Sequence, residues 1–228
     1  MRIGRVGIRP RVDTLSPMLR IIAGEFRSRL LETPPDARTT RPLPDRVRVA
    51  LFSMLQGHLE GEVVVDVFAG TGSFGLEALS RGAEHAYFIE RDRRALAMLQ
   101  RNIDALGVAE RCTVVPGDAL GPAALGVIPE RVHVVMMDPP YPMLEDSSTR
   151  APVLEQFARF VERLDDTGFA IWRSPWPFVE HVGDEADPAA RRRVEIPLDI
   201  PGAEGPETHS YGSTAVHWYM RPRNHSRE

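Results

Sequence analysis

The clearest chemical signal in this sequence is the tetrapeptide Asp138-Pro139-Pro140-Tyr141. It directly follows the apolar run at 132–137, which is typical of a strand buried on both faces of a parallel sheet. The two prolines remove two N–H donors and fix the backbone, so the Asp138 carboxylate and the Pro139 carbonyl remain as hydrogen-bond acceptors. Such acceptors suit the two hydrogens of an exocyclic amine on a planar base, and the ring of Tyr141 can stack on that base. The tetrapeptide therefore predicts a site for the amino group of a nucleobase.

A glycine-rich turn follows the first strongly apolar segment, VVVDVF at 63–68. Gly70, Gly72 and Gly75 fall at G-x-G-x-x-G spacing between this predicted strand and a predicted helix. Glycines at such a place let a ligand approach the backbone N–H groups at the start of the helix. Asp66 lies within the strand, close to the turn. The pattern indicates a nucleotide-like ligand, although a tight turn that binds nothing has the same spacing.

Two further acids end neighbouring predicted strands. Glu90 ends the strand at 86–90, where a carboxylate can accept hydrogen bonds from both ribose hydroxyls of a nucleoside. That role serves NAD and S-adenosylmethionine equally. Asp118 comes just past the third strand, where it can receive an adenine amino group or simply close a turn. Because the carboxyl ends of parallel strands meet at one edge of a sheet, these acids belong to the same predicted site as the tetrapeptide.

Regular elements must position these residues, and the hydrophobic pattern predicts them. Continuous apolar runs predict strands at 63–68, 86–90, 112–118, 132–138 and 169–172. Helical spacing predicts helices at 47–55, 73–81, 91–107 and 151–165. Strands that alternate with helices predict an α/β fold with a mostly parallel sheet. The segments 192–200 and 213–220 are joined by a Gly/Pro-rich loop, so we expect them to form an antiparallel pair that closes the sheet edge.

Composition excludes several classes of protein. All 28 basic residues are arginine, which excludes P-loop ATPases, pyridoxal-phosphate enzymes and protein kinases, because each requires a particular lysine. Cys112 is the single cysteine and the seven histidines show no H-x-x-x-H spacing, so we expect neither a disulfide framework nor a metal site. No apolar run approaches the roughly 18–20 residues of a membrane span, and the N-terminus lacks the apolar core of a secretory signal. We expect a cytoplasmic protein without membrane attachment.

Charge is unevenly distributed along the chain. Residues 1–50 contain eleven arginines and five acids, a net charge of +6, whereas the whole chain carries −4. A basic arm on an acidic body favours a polyanionic partner such as nucleic acid, although a solvated tail has the same composition. We predict a disordered basic tail at 1–18, a hairpin extension at 19–41 and a main domain at 42–222. No sustained heptad pattern is present, so we expect a monomer.

Longer stretches of the sequence resemble one known family. DVFAGTGSFGLEALSRGA, FIE and MMDPPY are similar to segments of the class I S-adenosylmethionine methyltransferases that modify exocyclic amines. The tetrapeptide alone does not separate them from DNA adenine methylases. The upstream stretches RIIAGEFRSRLLE and TRPLPDRVRVALFSML narrow the resemblance to the RsmD family, the 16S ribosomal RNA guanine-N2 methyltransferases. The resemblance extends from about residue 19 to the C-terminal YGSTAVHWY.

This resemblance implies a Rossmann-like class I methyltransferase fold, with a mostly parallel seven-stranded sheet, an antiparallel C-terminal strand pair and a small N-terminal β-hairpin. It implies S-adenosylmethionine as cofactor, no metal, and 16S ribosomal RNA within a small-subunit particle or assembly intermediate as partner. The hairpin would help to grip the RNA. The implied catalytic residues, which would hold the target guanine, are Asp138, Pro139, Pro140 and Tyr141. The implied cofactor-binding residues are Asp66, Phe68, Gly70, Thr71, Gly72, Glu90, Asp118 and Arg41.

Some positions depart from the family pattern. Leu43-Pro44 replace two hydroxyl-bearing residues near the cofactor, and Arg173-Ser174 stand where relatives often carry an acid after the fifth strand. The stretch before Tyr211 is acidic and Pro/Gly-rich, where relatives are basic. The residues leave three alternatives open: adenine-N6 methylation of DNA or RNA, a nicotinamide-dependent oxidoreductase, and a non-catalytic RNA-binding module.

Overall fold

A computed structural model of the chain describes residues 18–34, 44–183 and 192–222. The predicted basic tail at 1–18 lies, apart from Met18, outside these residues. The strands are β1 (Met18–Arg20), β2 (Leu30–Glu32), β3 (Val63–Val67), β4 (His85–Glu90), β5 (Cys112–Pro116), β6 (Val132–Met137), β7 (Leu164–Pro175), β8 (Val179–Val182), β9 (Arg192–Glu195), β10 (Glu204–Tyr211) and β11 (Thr214–Met220). The α-helices are α1 (Asp45–Met54), α2 (Ser73–Ser80), α3 (Arg93–Leu106), α4 (Pro122–Val127), α5 (Pro142–Glu145) and α6 (Ser147–Glu162). Within the described ranges, no helix combines the length and apolarity needed to cross a bilayer.

Seven strands form the central sheet in the order β10-β11-β7-β6-β3-β4-β5. Strands β3 to β7 run parallel, while β11 is antiparallel to both of its neighbours. From β3 the chain adds β4 and β5 on one side, and then returns to add β6 and β7 on the other side. Open α/β sheets bind their ligands at such a reversal, outside the carboxyl ends of the strands. The predicted α/β fold with a mostly parallel seven-stranded sheet is confirmed.

The predicted antiparallel pair at the C-terminus exists, but the prediction assigns one of its two strands to the wrong segment. β11 pairs with β10, which lies in the segment interpreted from sequence as a loop. The segment predicted as its partner instead contributes β9, which pairs with β8 in a separate two-stranded sheet. The sequence does not predict β10 because it contains Gly205 and Pro206, and both residue types are rare in strands. An edge strand tolerates them, and the pairing of β10 with β11 is irregular between Glu204 and Glu207.

Helices cover both faces of the sheet. Alternate residues of a strand point to opposite faces, so each parallel strand contributes to two apolar cores. One core joins Val64 of β3 to Phe52 of α1 and to α2 and α3. The other joins Val65 of β3 to Phe157 of α6 and to α4 and α5. Burial on both faces explains why these strands are continuous apolar runs in the sequence.

The helices begin and end at residues that the sequence marks. Asp92 precedes α3 and accepts two backbone N–H groups of its first turn, at 2.9 and 2.8 Å. Gly107 ends the same helix with a φ of 72°, as predicted from its place after the last apolar residue. Helix α6 begins before the predicted residue 151, because Asp146 accepts the N–H of Ser148 at 2.7 Å and starts the helix there.

The N-terminal hairpin docks on α2 through polar groups. β1 and β2 pair antiparallel, which confirms the predicted hairpin. The buried Glu77 carboxylate accepts the N–H groups of Ile22 and Ala23 at 2.7 and 3.1 Å. The Ser80 hydroxyl donates to the carbonyl of Ala23 at 2.6 Å and accepts the N–H of Phe26 at 2.9 Å. Helix α2 starts at the glycine turn, so the hairpin rests on the same helix that the turn opens.

Replacing Gly24 by alanine should weaken this docking. Gly24 has a φ of +83°, and a Cβ there would lie 1.7 Å from the backbone oxygen of Ser80. Gly57 is a matched control, because its φ is +85° and a Cβ there would meet nothing within 4 Å. We expect Gly57→Ala to lower the free energy of unfolding by about 1–2 kcal/mol, and Gly24→Ala by a further ~1–3 kcal/mol from overpacking. Urea unfolding measures both losses, and equal losses would contradict the close contact.

Candidate active site

Four parallel strands bring the predicted site residues to one edge of the sheet. In the strand register, Val67 of β3 lies beside both Ile89 of β4 and Met137 of β6. The residues that follow these three are therefore neighbours across the edge, and they are Phe68, Glu90 and Asp138. This edge coincides with the reversal of strand order beside β3, where an α/β sheet binds its ligand.

Asp66 lies just below this edge, within β3. Its side chain is buried, and Oδ2 accepts the N–H of Gly75 in the first turn of α2 at 3.0 Å. Burial raises the pKa of Asp66 well above its ordinary value, the Gly75 N–H lowers it, and the charges of Asp138 and Glu90 raise it further. Asp66 therefore ties the start of α2 to the sheet and lies close to the other two acids.

The three glycines of the turn differ in what surrounds them. Gly70 has a φ of +56°, and a Cβ there would meet nothing within 4 Å. A Cβ at Gly72 would lie 2.4 Å from Leu99 Cδ1, and one at Gly75 would lie 2.3 Å from Phe88 Cε1. The sequence pattern suggested ligand approach at all three glycines. In the structure Gly70 faces open space, whereas the other two permit close packing of the turn and helix α2.

Phe68 and Thr71 flank Gly70 in the turn. Phe68 has a φ of 61°, a left-handed conformation that costs a non-glycine residue on the order of 1–3 kcal/mol. Residues in such conformations cluster at ligand sites, where the surrounding structure enforces them. Thr71 is nearly buried, and its carbonyl accepts the side-chain N–H of Asn102 at 3.0 Å. The turn is thus held in a fixed shape before any ligand binds.

Both carboxylate oxygens of Glu90 accept backbone hydrogen bonds. Oε2 accepts the N–H of Gly70 at 2.8 Å, and Oε1 accepts those of Arg91 and Asp92 at 2.8 and 2.7 Å. A carboxylate offers about four acceptor positions, so about one remains, on Oε2. The side chain can accept one ribose hydroxyl as it stands, and a second hydroxyl would replace the N–H of Gly70.

Asp118 follows β5 at the same edge and has a half-exposed side chain. Its Oδ1 accepts the N–H of Leu120 at 3.0 Å, and its Oδ2 lies 3.6 Å from Nη1 of Arg91. Asp118 therefore closes the turn after β5, and its role toward adenine stays a prediction. Arg41, the remaining residue expected at the cofactor, lies outside the described residues.

Asp138 begins the tetrapeptide at the end of β6. Its N–H donates to the carbonyl of Val67 at 3.2 Å, and its Oδ1 accepts a hydrogen bond from Nε of Arg173 at 2.6 Å. Burial raises the pKa of Asp138, and the charge and hydrogen bond of Arg173 lower it, with a net result above the ordinary value. Beyond Asp138, Pro139 is buried and Pro140 is exposed. A carboxyl group with a raised pKa is suited to accept a proton from an amine.

Tyr141 ends the tetrapeptide and is held by β7 and β11. Its hydroxyl donates to Oγ1 of Thr214 at 2.7 Å, and Thr214 donates to the carbonyl of Ser174 at 3.1 Å. The guanidinium carbon of Arg173 lies 5.1 Å from the centre of the Tyr141 ring, within the range of a cation–π interaction. The two ends of the tetrapeptide therefore contact the same arginine.

Two residues that organise this edge belong to no recognised motif. Arg173 is buried and contacts Asp138 and Tyr141, but in the sequence it is visible only as a departure from the family pattern. Asn102 is buried, and its Oδ1 accepts the N–H of Glu32 in β2 at 2.8 Å while its amide contacts the glycine turn. The signal for Asn102 is its place on the apolar face of α3, three residues after Leu99.

A group of potential metal ligands lies at the opposite edge of the sheet. Glu62, His133 and Asp165 bring ligand atoms within 4.8 Å of one another near the amino ends of β3, β6 and β7. His133 Nδ1 donates to Oδ2 of Asp165 at 2.8 Å, so two of the three potential ligands are already paired with each other. These residues come from separate segments, so histidine spacing in the sequence could not reveal the group. We assign no ion to it.

Comparisons with known proteins show which family the chain resembles. Residues 19–159 match the family model described as conserved hypothetical protein 95. Ribosomal RNA small subunit methyltransferase D of Escherichia coli (strain K12) is 40% identical over 126 residues, which are 55% of this chain and 62% of that protein. The protein YlbH of Bacillus subtilis is 28% identical over 206 residues, which are 89% of this chain and 99% of that protein.

Solved structures extend the similarity over nearly the whole chain. The Escherichia coli protein yhhF superposes with a TM-score of 0.66 at 26% identity, covering 90% of this chain and 98% of its own. A hypothetical protein from Thermus thermophilus gives a TM-score of 0.62 at 27% identity, covering 90% of this chain and 99% of its own. The chain therefore belongs to the family of conserved hypothetical protein 95, the RsmD family of methyltransferases that its motifs resemble.

Proposed function

We propose that this protein transfers a methyl group from S-adenosylmethionine to the exocyclic N2 amine of a guanine in 16S ribosomal RNA. The observation that carries the proposal is the placement of Asp138-Pro139-Pro140-Tyr141 beside the glycine turn and Glu90 at one edge of the sheet. The name of the Escherichia coli relative, ribosomal RNA small subunit methyltransferase D, supports the substrate class. The chain would act in the cytoplasm, as a monomer, on a small-subunit particle or assembly intermediate.

The residues at this edge fit the cofactor. Glu90 would accept a ribose hydroxyl through Oε2, and the open space over Gly70 would admit the methionine part against the backbone. Asp118 would receive the adenine amino group. When bound, S-adenosylmethionine supplies a methyl group on a positively charged sulfur, which keeps the C–S electron pair as the new C–N bond forms. The other cofactor-binding residues in this proposal are Asp66, Phe68, Thr71, Gly72 and Arg41.

The tetrapeptide would hold and orient the amine. The Asp138 carboxylate and the Pro139 carbonyl would accept its two hydrogens, which directs the nitrogen lone pair toward the methyl group. Tyr141, fixed through Thr214, would stack on the guanine ring. After transfer, Asp138 would accept the proton that the nitrogen loses, a role that its raised pKa favours. An amine inside a helix is not accessible, so the target base must be unstacked or lie in a loop.

The hairpin would supply part of the RNA-binding surface. Arg20, Arg27 and Arg29 are exposed on it, and clustered arginines bind phosphates. Glu77 and Asn102 fix the hairpin to helix α2 and to the glycine turn. A basic surface would therefore be rigidly joined to the edge that holds the reacting groups.

A methyl-transfer assay tests this function. It measures transfer of a tritiated methyl group from S-adenosylmethionine to small ribosomal subunits whose RNA has not been methylated. Digestion and nucleoside identification should give labelled N2-methylguanosine. Label in N6-methyladenosine would show that the target is adenine, whose amino group the Asp138 carboxylate and the Pro139 carbonyl can also orient. Cofactor binding without transfer to any RNA or DNA would contradict enzymatic activity, and binding of NAD instead would favour an oxidoreductase.

Asp138→Ala should lower kcat by at least about 100-fold, because both the acceptor and the proton-accepting group are removed. The dissociation constant for S-adenosylmethionine should stay within about twofold of wild type, since Asp138 faces the amine in this account. Asp104→Ala, at an exposed position on α3, is the control and should retain activity. Turnover by Asp138→Ala at the rate of the control would contradict the assignment.

Glu90→Gln should weaken cofactor binding by about tenfold, or ~1.4 kcal/mol, because an amide accepts at one atom where the carboxylate accepts at two. Isothermal titration calorimetry with S-adenosylhomocysteine measures the dissociation constant in the absence of RNA. Glu60→Gln, exposed in the loop after α1, serves as the control and should bind like wild type. If both variants bind equally well, Glu90 holds only the turn and does not hold the ribose.

A further inference from the structure

Arg173 connects the two ends of the tetrapeptide from β7. In the register of β6 and β7, Met137 lies beside Trp172, which places Arg173 beside Asp138. Nε of Arg173 donates to Oδ1 of Asp138 at 2.6 Å, and its guanidinium lies over the ring of Tyr141. The arginine side chain is only 6% exposed, so this ion pair is shielded from solvent. The Coulomb attraction within a buried pair is stronger than within a surface pair and is less screened by salt, because the local dielectric constant is lower.

The charges around Asp138 make this arginine important. Asp66 of β3 and Glu90 of β4 are acids at the same edge, and Asp66 and Asp138 lie close enough for their charges to interact. Tyr141 is the last residue of the tetrapeptide. His217 of β11 is uncharged at neutral pH, because burial lowers its pKa to about 4. Among the charged groups that the structure describes around Asp138, Arg173 is the cation paired with it.

We infer that Arg173 is a positioning residue for the transfer. It holds Oδ1 of Asp138 so that the other carboxylate oxygen and the Pro139 carbonyl face the amine, and it fixes the ring of Tyr141 that stacks on the base. This inference rests on the proposed function for its kinetic effect. Its effect on the ionisation of Asp138 can be measured without substrate.

The first test is a titration of the Asp138 carboxyl carbon by NMR, in protein labelled with carbon-13 at aspartate. The signal of Asp138 is identified by its loss in Asp138→Asn. Arg173→Met removes the cation while keeping an unbranched chain, and should raise the pKa of Asp138 by about 1–3 units relative to wild type. Arg173→Lys keeps the charge and should leave the titration close to that of wild type. An unchanged titration in Arg173→Met would overturn the inference, whether or not the enzyme methylates RNA.

The second test is the pH dependence of kcat with the ribosomal substrate. The acceptor role needs an ionised carboxylate, so activity falls as pH drops below the pKa of Asp138. Arg173→Met should move this acidic limb upward by the shift seen in the titration. Arg173→Lys should keep the limb but lower kcat about tenfold, because an ammonium group cannot reproduce the planar guanidinium contacts with a carboxylate and a ring. The positioning role would be overturned if Arg173→Lys kept the wild-type kcat and Arg173→Met left the acidic limb unshifted.

Arg150→Met is the matched control for loss of a buried arginine. Arg150 is 8% exposed in its side chain, pairs with Glu180 and lies 6.0 Å from the ring of Phe178, but does not contact Asp138. We expect Arg150→Met to lower the melting temperature and to leave the acidic limb of the pH dependence of kcat unshifted. The same limb shift in Arg150→Met would show that the effect is general and would overturn the inference. Failure of the wild-type protein to methylate any RNA or DNA would instead contradict the proposed function and leave the carboxyl titration as the measure of Arg173.

A double-mutant cycle separates action through Asp138 from other effects. If Arg173 acts mainly through this carboxylate, adding Arg173→Met to Asp138→Asn should lower the residual rate by much less than it lowers the wild-type rate, because only the contact with Tyr141 is then lost. The single Arg173→Met change should lower the rate at neutral pH by about tenfold or more. Additive losses in the cycle would overturn the role of Arg173 in positioning Asp138.

Discussion

The parallel pairing of β3 with β4 on one side and with β6 on the other is the constraint on which the whole site depends. It aligns the carboxyl ends of these strands, so that Glu90 and Asp138 lie on either side of β3 at the same edge as the glycine turn. The same alignment brings several carboxyl groups together, which is electrostatically unfavourable at a partly buried edge. The structure offsets this with N–H groups of Gly70 and Gly75 and with the guanidinium of Arg173.

A second dependence runs from the hairpin to the turn. Asn102 contacts both, and Glu77 joins the hairpin loop to the helix that the turn opens. The groups proposed to bind RNA and those proposed to bind the cofactor are therefore connected by buried polar side chains. Such bonds have specific geometry, whereas apolar contacts alone would allow the hairpin to shift, so the polar contacts fix the RNA surface relative to the reacting atoms.

The sequence predicts most of the sheet and the candidate site because the relevant signals are local. Buried parallel strands are continuous apolar runs, and a glycine turn or an acid directly after a run marks the ligand edge. Pairing between distant segments has no local signal, so the sequence predicts a loop where β10, with Gly205 and Pro206, lies. The ion pair between Asp138 and Arg173 joins residues far apart in sequence and could only be found in the structure. The separate roles of Gly70 and Gly72 likewise depend on which side chains pack nearby.

A crystal structure of the chain with S-adenosylhomocysteine would show directly whether the glycine turn, Glu90 and the tetrapeptide form one site. We expect a ribose hydroxyl within hydrogen-bond distance of Oε2 of Glu90, and the sulfur facing Asp138 and Tyr141 across the open space over Gly70. The carboxylate of Asp138 should remain paired with Arg173 in that complex. A ligand bound elsewhere on the sheet, or one whose sulfur points away from the tetrapeptide, would contradict the proposed arrangement of the reacting groups.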